Sequence, residues 1–178
     1  MVQYSLKFIV SVLNFSRFLY ILAWKLFEGV CGLVKYWVFA VSEENWFVIK
    51  EKYVYGVPEG SKAVELVKPG DVAVFYVKKK GSKELGGKFV GAFSIISNWY
   101  HELKPLWPDE VRESRVKYPW RIRIKPIKFG IANFTELVPR LSFVTNKERP
   151  YVFLIGIPAN LGKPVPEKDA KLIIESLR

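Results

Sequence analysis

The sequence predicts a small α+β fold: a barrel-like sheet of five to six strands with a few short helices, not a doubly wound parallel sheet. Three observations carry this. β-rich runs recur at hairpin-like spacing from residue 35 onward, and the helix-like stretches between them are short. Residues 118–128 (YPWRIRIKPIK) also alternate sharply, with Arg121, Arg123 and Lys125 on one face and Trp120, Ile122 and Ile124 on the other. That is the pattern of a half-buried strand with a basic outer stripe.

The elements follow in order. Residues 35–41 (KYWVFAV) form a first strand bounded by Ser42. Ser42 then suits a helix N-cap, with Glu43 and Glu44 in the first turn and Asn45 at the third helical position. Trp46, Phe47 and Ile49 at near-helical spacing extend this helix over 43–52. Tyr53-Val54-Tyr55 is extended, and residues 56–60 form a loop with two glycines and a proline. A turn at 67–71 feeds a strand at 72–77 (VAVFYV). Residues 78–87 (KKKGSKELGG) make a polar hairpin loop, and 88–96 (KFVGAFSII) return as the partner strand. Residues 97–118 read as an irregular, aromatic and charged connection; a loop of that length inside a domain is usually functional. Residues 134–141 suggest a short helix broken by Pro139, 151–157 are another apolar run, and 166–169 open a closing helix to Leu177.

Composition narrows the function classes. Half of the 178 residues are apolar and 16% aromatic, enough for a packed core. Against 17 Asp+Glu stand 28 Lys+Arg, a net charge of +11 that favours polyanionic partners, nucleic acid before an anionic membrane surface. Cys31 is the only cysteine and His101 the only histidine. This argues against a disulfide framework, a Cys or His metal site and a His-activated nucleophile, so no metal and no cofactor are expected.

Residues 1–33 differ from the rest. Phe8 to Trp24 is apolar apart from Arg17, which sits mid-stretch where a charge is costly in a membrane. Three readings stay open: a weak membrane anchor, an amphipathic helix lying on the domain or on lipid, or a mis-called start with the domain beginning near Val34. The division expected is therefore an extension at 1–33 and a domain at 34–178. Without the extension's three Lys/Arg and one Glu the domain still carries +9. The expected location is cytoplasmic, or membrane-anchored if residues 1–33 are genuine.

Few residues invite a catalytic role. Gly86-Gly87-Lys88 lacks the rest of any phosphate-loop pattern. The acidic groups at 43–44, 109–110 and 167–169 have no paired base and no metal-ligand spacing, and each is more simply a helix start or a solvated turn. The aromatics say more. Trp46, Tyr53, Tyr55, Trp99, Tyr100, Trp107 and Trp120 include several at loop edges, where rings can stack on a planar base while Asn45 and Ser97 read its edge. For Trp46 and Trp120 the simpler reading is core packing.

The blocks YWVFAV (36–41), SEENW (42–46), YVYGVP (53–58), VKPGDVAVFYV (67–77), GKFVGAFSII (87–96) and YPWRIRIKPI (118–127), in this order, resemble the EVE domain, a PUA-like fold related to the YTH domain. The resemblance covers nearly all of 35–178. It implies a mostly antiparallel β-barrel with flanking short helices, and a non-catalytic pocket for one flipped-out, modified base such as a methylated cytosine or adenine. Asn45 matches the residue that reads the base edge. Tyr55, beside Gly56, falls where relatives tend to carry a tryptophan wall, a departure whose smaller ring implies either a weaker cage or a different preferred modification. Trp107 is the candidate for the opposing wall, with Trp46, Ser97 and Tyr100 as further lining. Arg121, Arg123 and Lys125 would contact phosphates of the DNA or RNA partner. Two other readings remain: a general RNA-binding module indifferent to modification, and an enzyme acting on a nucleotide-like ligand.

Overall fold

Strand β1 (Tyr36–Val41) has no polar alternation because both its faces are covered: Trp37, Phe39 and Val41 enter one apolar cluster, Val38 and Ala40 another. These placements come from a computed structural model that describes residues 33–154 and 163–178. The fold described is that of the unit Lys35–Arg178. The expectations for residues 1–33, and the end of the apolar run at 155–157, lie outside the described residues.

After β1 come α1 (Glu43–Lys52), β2 (Val54–Val57), α2 (Ala63–Leu66), β3 (Val72–Val77), β4 (Lys88–Ile95) and the two-residue β5 (Tyr100–His101). Then follow α3 (Pro108–Glu113), the long β6 (Trp120–Asn133), α4 (Phe134–Leu137), two 3₁₀ turns (Val138–Arg140 and Pro150–Phe153) and α5 (Glu167–Ser176). The sheet order is β1-β3-β4-β6-β2, with β5 also on β6. Only β1 and β3 run parallel. The sheet curls until its two end strands meet: Phe39 of β1 stacks on Tyr55 of β2 with ring centroids 4.3 Å apart. The result is a half-barrel, the mostly antiparallel α+β architecture the sequence predicts. Its inner cluster centres on Phe39, Phe75 and Phe93, and its outer one packs β3 and β4 against α4 and α5.

Three local features bear on the site. Ser42 caps α1 as expected, its Oγ accepting the Asn45 N–H at 3.3 Å. Asp71 pins the turn before β3 by accepting from the N–H groups of Lys35 and Lys68 and from the Trp37 indole. The connection 97–118 is less irregular than expected, because it carries β5 and α3.

Arg121 requires a correction. The alternation on β6 places it opposite Ile122, but the outer face there is roofed by the 104–118 excursion, leaving Arg121 only 4% exposed. Its guanidinium donates to the carbonyls of Tyr118 and Lys104 and lies 3.7 Å from Glu110. It is an internal cation with no open path to a phosphate. Arg123 and Lys125 are exposed.

Candidate functional site

The start of α1, strand β2, the β3–β4 loop and helix α3 enclose a cavity of about 510 Å³, within the size range of small-ligand sites. Capping by Ser42 holds the first turn of α1 so that Asn45 lines this cavity. The residue is 8% exposed, and its Oδ1 is buried without a hydrogen-bond partner.

Trp107 forms a wall from the far side. It is 2% exposed, edge-on to Tyr118 at 5.2 Å, with the Arg121 guanidinium 5.0 Å from its ring. Gly56 makes room for it. Gly56 and Arg121 are cross-strand partners, and a methyl group at Gly56 would run into Cη2 of Trp107, with Cζ3 at 2.9 Å and Tyr118 Cβ at 3.0 Å. The indole thus fills the space that a side chain at 56 would occupy. Tyr55, next to it, lines the cavity while its ring belongs to the inner cluster; burial pushes its phenol upward in pKa, and Tyr118 adds to this.

What holds Trp107 is Glu110, which is fully buried. Its carboxylate accepts the backbone N–H groups of Leu106 (2.8 Å), Trp107 (3.2 Å), Lys117 (2.8 Å) and Tyr118 (2.8 Å). One side chain therefore ties both ends of the α3 excursion together. A buried carboxylate is tolerable only when so fully satisfied, with Arg121 supplying the nearby positive charge.

Asp109 lines the cavity next to Glu110 in sequence but differs in environment. Its Oδ2 accepts from the Tyr118 hydroxyl at 2.9 Å and lies 3.4 Å from Lys117 Nζ, whereas Oδ1 is buried with no partner. Burial would raise this carboxyl, but Tyr118, Lys117 and the Asn45 amide outweigh it and hold it below its ordinary value. Burial, reinforced by Asp109, pushes the Tyr118 phenol up to about 12. Both groups thus keep fixed protonation states near neutrality, Asp109 as a pure acceptor.

The mouth is polar. Lys78, Lys80 and Arg112 line it, as do Glu43 and Glu44, and Arg112 meets Glu44 at 2.7 Å across α3 and α1. Glu43 accepts the N–H groups of Lys83, Glu84 and Leu85, fastening the β3–β4 loop beside the opening.

Of the residues named from sequence, the fold brings Asn45, Tyr55, Gly56 and Trp107 together. Three others do not line the cavity. Trp46 is buried against Phe75 and Phe93, the core reading weighed for it above. Ser97 accepts the Arg123 N–H at 2.8 Å and donates to Asn98. Tyr100 pairs with Arg121 in β5. Sequence reasoning missed Asp109, Tyr118 and the lysines of the β3–β4 loop as lining. It also took Glu110 for part of a helix start or solvated turn. The one available signal was Pro108-Asp109-Glu110, where Glu110 falls at the capping-box position of α3. Among the described residues no cluster of His, Cys, Asp or Glu is placed to hold a metal ion, and no helix is long and apolar enough to cross a membrane.

A family model for the EVE domain matches residues 35–176. The chain belongs to the EVE domain family. Its relatives include a UPF0310 protein of Saccharolobus solfataricus, 34% identical over 80% of this chain and 95% of that one. Another is a UPF0310 protein of Pyrococcus abyssi, 38% identical over 81% and 99%. Among solved structures, the Mmi1 YTH domain is similar with a TM-score of 0.51 at 13% identity, covering 79% of this chain and 92% of that one. The Pho92 YTH domain, solved in complex with m6A, has a TM-score of 0.50 at 16% identity, covering 80% and 82%. At such identities the likeness is one of fold. This EVE domain therefore shares the curled sheet and flanking helices of YTH domains.

Proposed function

We propose that this EVE domain, residues 34–178, is a non-catalytic, cytoplasmic nucleic-acid-binding module that holds one flipped-out, modified base in the cavity between α1 and α3. The observation that carries the reading is Asn45: a buried amide oxygen without a partner, on a residue that lines, with Trp107, a cavity of base-accommodating size. A base edge supplies the missing donor, and the ring stacks or packs against Trp107, worth roughly 1–3 kcal/mol per base. That offsets the few kcal/mol of unstacking that flipping costs. Within the same fold, the Pho92 domain's complex with m6A is a precedent for a base as ligand. Arg123 and Lys125, both exposed, supply sequence-independent attraction to phosphates.

The test is a titration of the full chain, followed by tryptophan fluorescence, with short oligonucleotides carrying one methylated or unmodified base at moderate salt. Tighter binding to one modified base, lost in Asn45→Ala and Trp107→Ala, is the expected result. Equal, salt-sensitive binding to all strands would replace this reading with a nucleic-acid module indifferent to modification. No binding at all would refute both.

A further inference from the structure

Folding buries or half-buries most aromatic rings of this domain and leaves three in solvent. Among the described residues, Phe47, Tyr53 and Phe129 are the phenylalanine, tyrosine and tryptophan side chains that remain exposed, each at 40% or more. They group where the C-terminal half of α1 passes β6. The buried ring of Phe93 has Phe129 edge-on at 5.4 Å and Tyr53 at 6.5 Å. Lys50 Nζ lies 5.6 Å from the centre of the Phe129 ring. Phe47 stands three residues before Lys50 on α1, which makes the two neighbours on the helix surface. None of these residues lines the cavity between α1 and α3.

Tyr53 marks the patch as more than incomplete burial. It closes α1 in the left-handed region, at φ 53° and ψ 38°. A bulky side chain is an outlier there, and helices that end this way usually do so on glycine or asparagine. The chain thus places an aromatic ring where the backbone favours a smaller residue, and exposes it. Backbone strain of this kind gathers at ligand-binding sites.

Charge indicates what the patch takes. Lys50 forms no ion pair among the described residues, and Lys52 pairs only with its exposed neighbour Glu51. Arg123, also exposed, is the cross-strand partner of Val54, the residue after Tyr53. Towards the cavity, Glu44 stands three residues before Phe47 and is held by Arg112 at 2.7 Å. Exposed rings interleaved with cations suit a polyanion that carries planar apolar groups: bases stack on the rings while phosphates meet the ammonium groups. An anionic lipid surface supplies the charge without the planar groups. In a duplex the base faces already stack on one another, so the nucleotides that fit are unpaired.

We propose that Phe47, Tyr53 and Phe129 form a stacking platform for single-stranded nucleic acid, with Lys50 and Lys52 at its phosphates. This rests on the nucleic-acid reading above and adds a second contact surface, separate from the cavity. Tyr53 lies eight positions after Asn45. That is a rise of roughly 12 Å along α1, or about three to four nucleotides at a stacked spacing of about 3.4 Å. One strand therefore reaches both surfaces.

The experiment is an anisotropy titration of the full chain with labelled thymidine strands of about twelve nucleotides, plain or with one central methylated cytosine or adenine, and with the plain strand in a duplex. The plain single strand is expected to bind at least about tenfold tighter than its duplex. Tyr53→Asn, which suits the left-handed backbone, and Phe47→Ala, at an exposed position, should both keep the parent's melting temperature. Each should weaken plain and methylated strands alike by about fivefold or more, whereas Tyr53→Phe, which keeps the ring, should bind as the parent does. If Tyr53→Asn and Phe47→Ala leave strand binding unchanged, this inference falls, and loss of methylated-strand binding in Trp107→Ala would still uphold the cavity reading. If they weaken every strand while Trp107→Ala weakens none, the platform stands and the cavity reading falls. If they instead release the chain from phosphatidylserine–phosphatidylcholine vesicles without affecting strands, the patch is a lipid-binding face and the inference is overturned.

Discussion

Replacing Gly56 with alanine tests the central geometry of the site with one methyl group. Gly56 lies in β2 without a left-handed backbone, so alanine meets no conformational penalty there, and removing a strand glycine is worth about 0.5–1 kcal/mol. Against this, the new Cβ would lie within the Trp107 ring, with Cζ3 at 2.9 Å and Tyr118 Cβ at 3.0 Å. Neither neighbour is a free end: the backbone at both residues is tied to Glu110. Overpacking of this kind costs about 1–3 kcal/mol, leaving a net destabilisation of about 1–2 kcal/mol. For a domain of this size that is a drop in Tm of roughly 3–8 °C. Urea unfolding followed by far-UV circular dichroism would measure it without relying on the displaced tryptophan. The decisive arm is a double-mutant cycle: in a Trp107→Leu background, Gly56→Ala should be neutral or stabilising, a coupling of about 1 kcal/mol or more. If Gly56→Ala is as stable as the parent, or the two changes are simply additive, Trp107 does not sit over Gly56 as described.

Three further predictions follow from the same network. Glu110→Gln turns an amide N–H toward backbone donors and leaves Arg121 without its carboxylate, so stability should fall by about 2–4 kcal/mol in chemical denaturation, with the tryptophan emission shifted to the red. Asp109 has a folded-state pKa below its ordinary 3.8, so its ionised form stabilises the fold at neutral pH, and that contribution disappears as pH falls below about 4. The stability gap between the parent and Asp109→Asn, measured by urea unfolding across pH, should therefore narrow below that point; a gap that widens on acidification would contradict the assignment. Arg123→Ala and Lys125→Ala should each weaken nucleic-acid binding evenly across sequences and reduce the salt slope by about one, while Arg121→Ala should lower the melting temperature.

Much of this domain was legible along the chain because its signals are local. The apolar run of β1, the Ser42 cap and, Arg121 apart, the alternation at 118–128 depend on residues within one element, and each appears where expected. The ordered blocks from YWVFAV to YPWRIRIKPI were enough to indicate the family and, with it, Asn45 and Trp107 as cavity residues. Other properties depend on which segments cross in space. Arg121 has the sequence signature of a solvated stripe, and only the excursion folded over β6 buries it. Glu110 looks like an ordinary helix-start acid until Lys117 and Tyr118 return to its carboxylate. The parallel pairing of β1 with β3, and the stacking of Phe39 on Tyr55 that curls the sheet, join residues with no local signal linking them. Periodicity shows which side of a strand a residue occupies, but burial and charge compensation are set by what arrives on that side, and that is a property of the closed chain.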